Sequence, residues 1–281
     1  MFSKRPDGKL CKNIDPFMKI IPYIMFQRND AMNFNFQEID CTGLDEYCRR
    51  EKSKELGIGY MQLTMAAIVR SIYERPEVNR FIMNGRIYQR DKVWMSFTVQ
   101  RSLRGQTPET TVKIPFEGTE SLYEITEKIN KAIEENTVVG EQNDTDKLAR
   151  IVMGLPGGLF KPAVKFLMWC DRHNLLPRSI IDASPFHTSF FITNLKSLGI
   201  GTILHHVYNF GTTSLFVSMG KERYLPVVDQ KEHITIKKQM ELGITTDERI
   251  CDGLYFARTI KIMKKYLEHP ELLDACLKRE Y

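Results

Sequence analysis

At 281 residues, 42% hydrophobic and 27% charged, the chain can bury one large core or two small ones. Its net charge is only +5, and basic residues are interleaved with acids, as in Lys237-Lys238 before Glu241. That pattern describes solvated faces and argues against a nucleic-acid partner, although the basic excess can still attract an anionic ligand such as a CoA phosphate. The six cysteines have no C-x-x-C spacing and no histidine at metal-ligand spacing, so reduced, mostly buried thiols are expected and no metal site. The N-terminus has no apolar signal core, and the apolar stretch 151–160 is broken by Pro156-Gly157-Gly158. It is too short to span a bilayer, and a cytoplasmic protein is expected.

In chain order, residues 1–19 read as an irregular leader punctuated by Pro6, Gly8, Asp15 and Pro16. The apolar run Ile20-Ile21-Pro22-Tyr23-Ile24-Met25 predicts a short strand, and the alternation of 33–39 a second one. Asp40 or Thr42 then caps a helix containing Leu44, Tyr47 and Cys48. Residues 61–73 carry the pattern of a buried helix, stopped at Arg75-Pro76. Strands follow at 86–88, 93–99 and 110–116, and a helix at 121–135. Helices are expected around 144–153 and 161–174. Strands are expected at 188–194, 212–219, 225–228 and 233–245, and a last helix at about 252–268. The irregular alternation of elements predicts an α+β fold with a two-layer mixed sheet, in one domain over 20–281.

Near the C-terminus stands Thr246-Asp247-Glu248-Arg249-Ile250-Cys251-Asp252-Gly253, followed by a helical run. This segment resembles the His-Arg-x-x-Asp-Gly or His-His-x-x-x-Asp-Gly motif that opens the last helix of the chloramphenicol acetyltransferase and dihydrolipoyl acyltransferase family. Glu248 holds the position of that family's catalytic histidine. Ser189-Phe190-Phe191-Ile192-Thr193-Asn194-Leu195 resembles the family's Phe-Thr-Ile-Ser-Asn-Leu-Gly strand, and Leu215 to Gly220 the strand before the active-site hairpin. Ile39-Asp40, Thr42, the helix at 61–73 and Pro76-Glu77-Val78-Asn79 echo its N-terminal part.

The resemblance implies a chloramphenicol acetyltransferase-like fold and a homotrimer. It also implies a CoA thioester as co-substrate and a thiol, hydroxyl or amine acceptor, meeting in a channel between subunits. No lipoyl module precedes residue 20, so no covalently bound lipoate is expected. Residues 151–177 look like an apolar insertion, and the tail 275–281 is more polar than the family's trimer-gluing end.

Acyl transfer needs a base for the acceptor's proton and a donor for the tetrahedral oxyanion. A glutamate near 4.3 is weaker than a histidine near 6.5 by about 3 kcal/mol of driving force, so Glu248 is a base only if burial raises it. Thr193 matches the family's oxyanion serine, and a strand-forming β-branched residue is the plainer account of it. Asn194 suits a strand-end turn, and with Arg249 and Gly253 it forms the candidate substrate or CoA contacts. Asp252 suits an N-cap of the last helix, and Arg249 is expected in its charge network. His205, His206 and His187 are alternative bases. The insertion helix reads as packed on the core or on a neighbouring subunit; contact with a membrane surface, or the lining of a pocket for a hydrophobic acyl group, is the sharper alternative. Two functions therefore stand side by side. One is a CoA-dependent acyltransferase with an atypical site; the other is a silent relative serving as a binding or scaffold protein, with a 2-oxo acid dehydrogenase as its candidate partner.

Overall fold

The computed structural model describes residues 4–100, 109–137 and 143–278. Residues 279–281 of the polar tail lie outside that set. In chain order the elements are β1 (Gly8–Leu10), α1 (Pro16–Ile24), β2 (Met32–Asp40), α2 (Thr42–Arg49) and α3 (Glu51–Glu55). Next come α4 (Tyr60–Glu74), β3 (Arg80–Met83), β4 (Arg86–Arg90), β5 (Val93–Gln100), β6 (Glu109–Phe116) and α5 (Leu122–Thr137). The second half holds α6 (Asp144–Met153), α7 (Gly157–Arg172), α8 (Arg178–Ala183), β7 (Phe190–Asn194), β8 (Leu215–Met219), β9 (Arg223–Val228), β10 (Ile234–Asp247) and α9 (Gly253–Glu268).

The main sheet is mixed, ordered β2-β10-β8-β7-β5-β6, with β9 pairing β10 beside that path. β7 runs parallel to both β5 and β8, and the other pairs are antiparallel. A small antiparallel sheet, β1-β4-β3, stands apart. Helix α4 packs against α5 and α9 to make the helical layer. Alternation along the strands sends Met95 and Phe97 of β5, Phe190 and Ile192 of β7, and Leu215 and Val217 of β8 into the core with α4. That core runs without a break from Ile39 to Leu273. The expected α+β fold with a two-layer mixed sheet is borne out.

Two expectations at the N-terminus are corrected. The apolar run 20–25 is not a strand but the C-terminal half of α1. Asp15 accepts the amide hydrogens of Phe17 and Met18, and Pro16 sits in the first turn, so the helix start is built into the sequence. The leader before it is not irregular either, because β1 pairs with β4. Buried Arg5 anchors it, bonding Asp7 at 2.8 Å and the Asp171 carboxylate at 3.1 Å. Strand β3 and helix α8 also went unread, being only four and six residues long.

Candidate active site

Thr193 lies on β7 opposite Ser218 of β8, on the sheet face turned away from α4. The same face carries Phe191 and Phe216, whose rings stack at 5.1 Å. Thr193 is half-buried, and its hydroxyl has no hydrogen-bond partner among the described residues. The next residue ends the strand. Asn194 caps a short turn through Ser197 N–H at 3.4 Å, and Gly199 (φ 75°) closes that turn in the left-handed region.

The loop after Gly199 carries the paired histidines and ends at Gly211. There a Cβ would meet the Phe186 carbonyl oxygen at 2.2 Å, so glycine is required. His206 is exposed. His205 is half-buried and lies flat on Phe216, with ring centroids 4.3 Å apart. Its Nε2 is buried and has no partner among the described residues. Burial, helped by the neighbouring charge of His206, holds the imidazole below its ordinary value, so it is neutral at pH 7.

Thr193, Asn194 and His205 line one chamber of about 510 Å³. Its other walls are largely apolar and aromatic, from Met61, Phe97, Phe186, Phe191, Phe216 and Leu198. A ligand cavity of this kind combines an apolar wall with a few convergent polar groups. The aromatic walls were not picked out from sequence, although the period of two along β7 and β8 places Phe191 and Phe216 on Thr193's face.

Glu248 lies elsewhere. It follows the end of β10, its N–H donates to the Ala31 carbonyl at 2.9 Å, and its side chain is exposed. With Phe17, Ile21, Cys251, Asp252 and Phe256 it lines a separate cavity of about 300 Å³. Within one chain its carboxylate therefore stands open to solvent at the mouth of that cavity. Asp252 takes the structural role expected of it, capping α9 by accepting Tyr255 N–H at 2.8 Å. Arg249 does not join Asp252, which corrects the expected network. It turns inward and grips buried Asp247 with both arms at 2.7 Å, while also donating to the Met25 carbonyl. Arg28 stands 3.5 Å from the same carboxylate, so two buried cations share one anion. Gly253 opens α9 at the surface.

His187 is fully buried, between the Ser184 hydroxyl at 2.8 Å and Asp171 at 3.1 Å; the second contact has ion-pair rather than hydrogen-bond geometry. It is not part of the chamber wall.

Thr193 and Glu248 are far apart in one chain. Thr193 pairs with Ser218, Ser218 pairs with Gly243, and Glu248 lies five residues beyond Gly243. Two strand spacings and five residues of rise separate them by about 19 Å. Within one subunit they do not reach the same reacting carbon.

Residues 186–275 match the family model for 2-oxoacid dehydrogenases acyltransferase (catalytic domain). No curated protein sequence matches the chain. Among solved structures, a probable dihydrolipoamide acetyltransferase from Listeria monocytogenes 4b F2365 superposes with a TM-score of 0.58 at 17% identity, covering 98% of this chain and 99% of that one. The dihydrolipoamide acetyltransferase of Azotobacter vinelandii gives 0.59 at 14% identity, covering 94% of each. A chloramphenicol acetyltransferase gives 0.55 at 12% identity, over 92% of this chain and 99% of that one. The resemblance read from the sequence is thus met twice: residues 186–275 match the acyltransferase catalytic domain of the 2-oxoacid dehydrogenases, and nearly the whole chain has the fold it shares with chloramphenicol acetyltransferase.

Proposed function

We infer that the chain is an acyltransferase that moves an acyl group from a thioester, acyl-CoA in the first instance, to a thiol, hydroxyl or amine. One observation carries this reading: an unpartnered, neutral imidazole on His205 and a free hydroxyl on Thr193 line the same chamber. His205 takes the acceptor's proton as the acceptor attacks the thioester carbonyl. The Thr193 hydroxyl donates to the oxyanion that forms. The tetrahedral species then collapses, the carbon–sulfur bond breaks, and the imidazolium returns its proton to the leaving thiolate. Asn194 shapes the wall beside Thr193.

Glu248, with Asp252 and Gly253 beside it, enters this scheme only through assembly. In a homotrimer a neighbouring chain can bring its Glu248 to this chamber and bury it there, which is the composite site that the family resemblance implies. Arg249 then supports the site from behind, because its guanidinium is committed to Asp247. A second reading is favoured by the exposure of Glu248 and the lack of a histidine at its position. In it the chain is a silent relative that binds or scaffolds, in the cytoplasm.

The deciding experiment offers acetyl-CoA and longer acyl-CoAs with a panel of thiol, alcohol and amine acceptors. Release of free CoA thiol is read with a chromogenic disulfide, and unfolding temperature is followed in parallel. An acyltransferase releases thiol only when acceptor is present. Its fold gains about 2.7 kcal/mol at a hundredfold excess of ligand over its dissociation constant. No release and no thermal shift at millimolar acyl-CoA selects the scaffold.

A further inference from the structure

Helix α7 is amphipathic with its apolar stripe facing outward. At about 100° per residue, Leu159, Phe166 and Trp169 fall within about 80° of one another on the helix surface. All three are open to solvent, at 57%, 62% and 49% exposure. Phe166 stacks on Trp169, and Trp169 on His173, so the stripe is an ordered aromatic ladder. Lys161, Lys165 and Arg172 fall within about 40° of one another and form a rail along one flank of the stripe. The three are exposed, and none has a carboxylate partner among the described residues. The helix's one acid, Asp171, turns inward to Arg5 and His187.

A second apolar element lies alongside. Exposed Tyr23 of α1 and Phe26 just beyond it share a cavity of about 410 Å³ with Met168 and Arg172 from the end of α7. Phe17, Ile20 and Ile24 of α1 are also exposed.

An apolar stripe beside an unpaired cationic rail fits one kind of surface. We propose that α7, assisted by α1, docks the protein on an anionic lipid bilayer, lying in the interface plane without crossing it. Leu159 and Phe166 enter the acyl boundary, and Trp169 sits at headgroup level. Lys161, Lys165 and Arg172 extend their aliphatic stems along the surface and place their charges on lipid phosphates. A two-fold contact with a second copy would set the cationic rail against itself, and a heterologous contact within a homotrimer is separated from lipid docking by the test below. Neither α7 nor any other helix among the described residues is long and apolar enough to cross a bilayer.

The test is sedimentation of the full chain with phosphatidylcholine vesicles, with and without phosphatidylglycerol, at low and high salt. Binding to the phosphatidylglycerol vesicles, weakened by salt, is expected. Lys161→Glu and Lys165→Glu should each lower the partition by roughly fivefold or more. Phe166→Glu with Trp169→Glu should abolish it while leaving the unfolding transition in place, since neither side chain is in the core. Failure of the natural chain to bind either vesicle overturns the proposal. So does full binding by the Phe166/Trp169 variant, or an oligomer that Phe166→Glu splits while the natural chain ignores vesicles. That last result would assign the stripe to a second copy.

Discussion

His205 lies on Phe216 at 4.3 Å between ring centroids, and that stacking fixes an imidazole from an irregular loop against a strand of the central sheet. One ring nitrogen is buried without a partner among the described residues, and burial favours the neutral ring. The contact ties a loop histidine to the sheet, and a base needs such a defined position.

If His205 takes the acceptor's proton, His205→Ala should cut turnover by roughly 10²–10⁴-fold, the usual contribution of a general base. The sign of the pH dependence follows from burial. The imidazole must be neutral to act, and its value is depressed, so activity rises with pH below about 6.5 and is level by neutrality. A pH–rate profile unchanged in His205→Ala would place the base elsewhere.

Thr193→Val keeps the branched shape and deletes the hydroxyl. Loss of one oxyanion donor predicts a fall in kcat of about 10²–10³-fold with little change in KM. Thr193→Ser should retain most activity. A Val variant as active as the natural chain would leave Thr193 as a strand residue and nothing more.

Glu248 separates a site within one chain from a shared one. Light scattering should give about three times the 32.7 kDa chain mass. If Glu248 serves a neighbour's chamber, Glu248→Gln and Thr193→Val are both inactive alone. Mixed trimers of the two variants should then regain part of the activity. If His205 and Thr193 suffice, Glu248→Gln turns over like the natural chain and mixing changes nothing. A monomer would remove the shared site altogether.

Two aspartates close together in sequence should differ sharply in stability. Asp247→Asn leaves the buried guanidiniums of Arg28 and Arg249 without their anion, and urea unfolding should show a loss of about 3–5 kcal/mol. Asp252→Ala removes only an exposed cap on α9 and should cost about 0.5–2 kcal/mol. Equal losses would refute the placement of charge described here.

Much of the fold was legible because its elements carry their own periodicity. The buried pattern of 61–73 became α4, and the alternating runs became β2, β5, β6, β7 and β8. Thr193 and Asp252-Gly253 were legible because they stand in motifs of matching order and spacing. The run 20–25 reads as a strand because a short apolar stretch has the same appearance in a strand and in a helix turn. The deciding signal, Asp15-Pro16, lay just before it.

Charge placement and loop burial were decided by tertiary structure alone. Arg249 chose Asp247 over Asp252 because β10 delivers Asp247 into the interior while Asp252 stays at the surface. His205 and His206 are adjacent and chemically alike. Only the packing of their loop on Phe216 buries one and leaves the other in water. Composition and periodicity are local properties and survive in the linear chain, whereas desolvation depends on which distant surfaces fold over a residue.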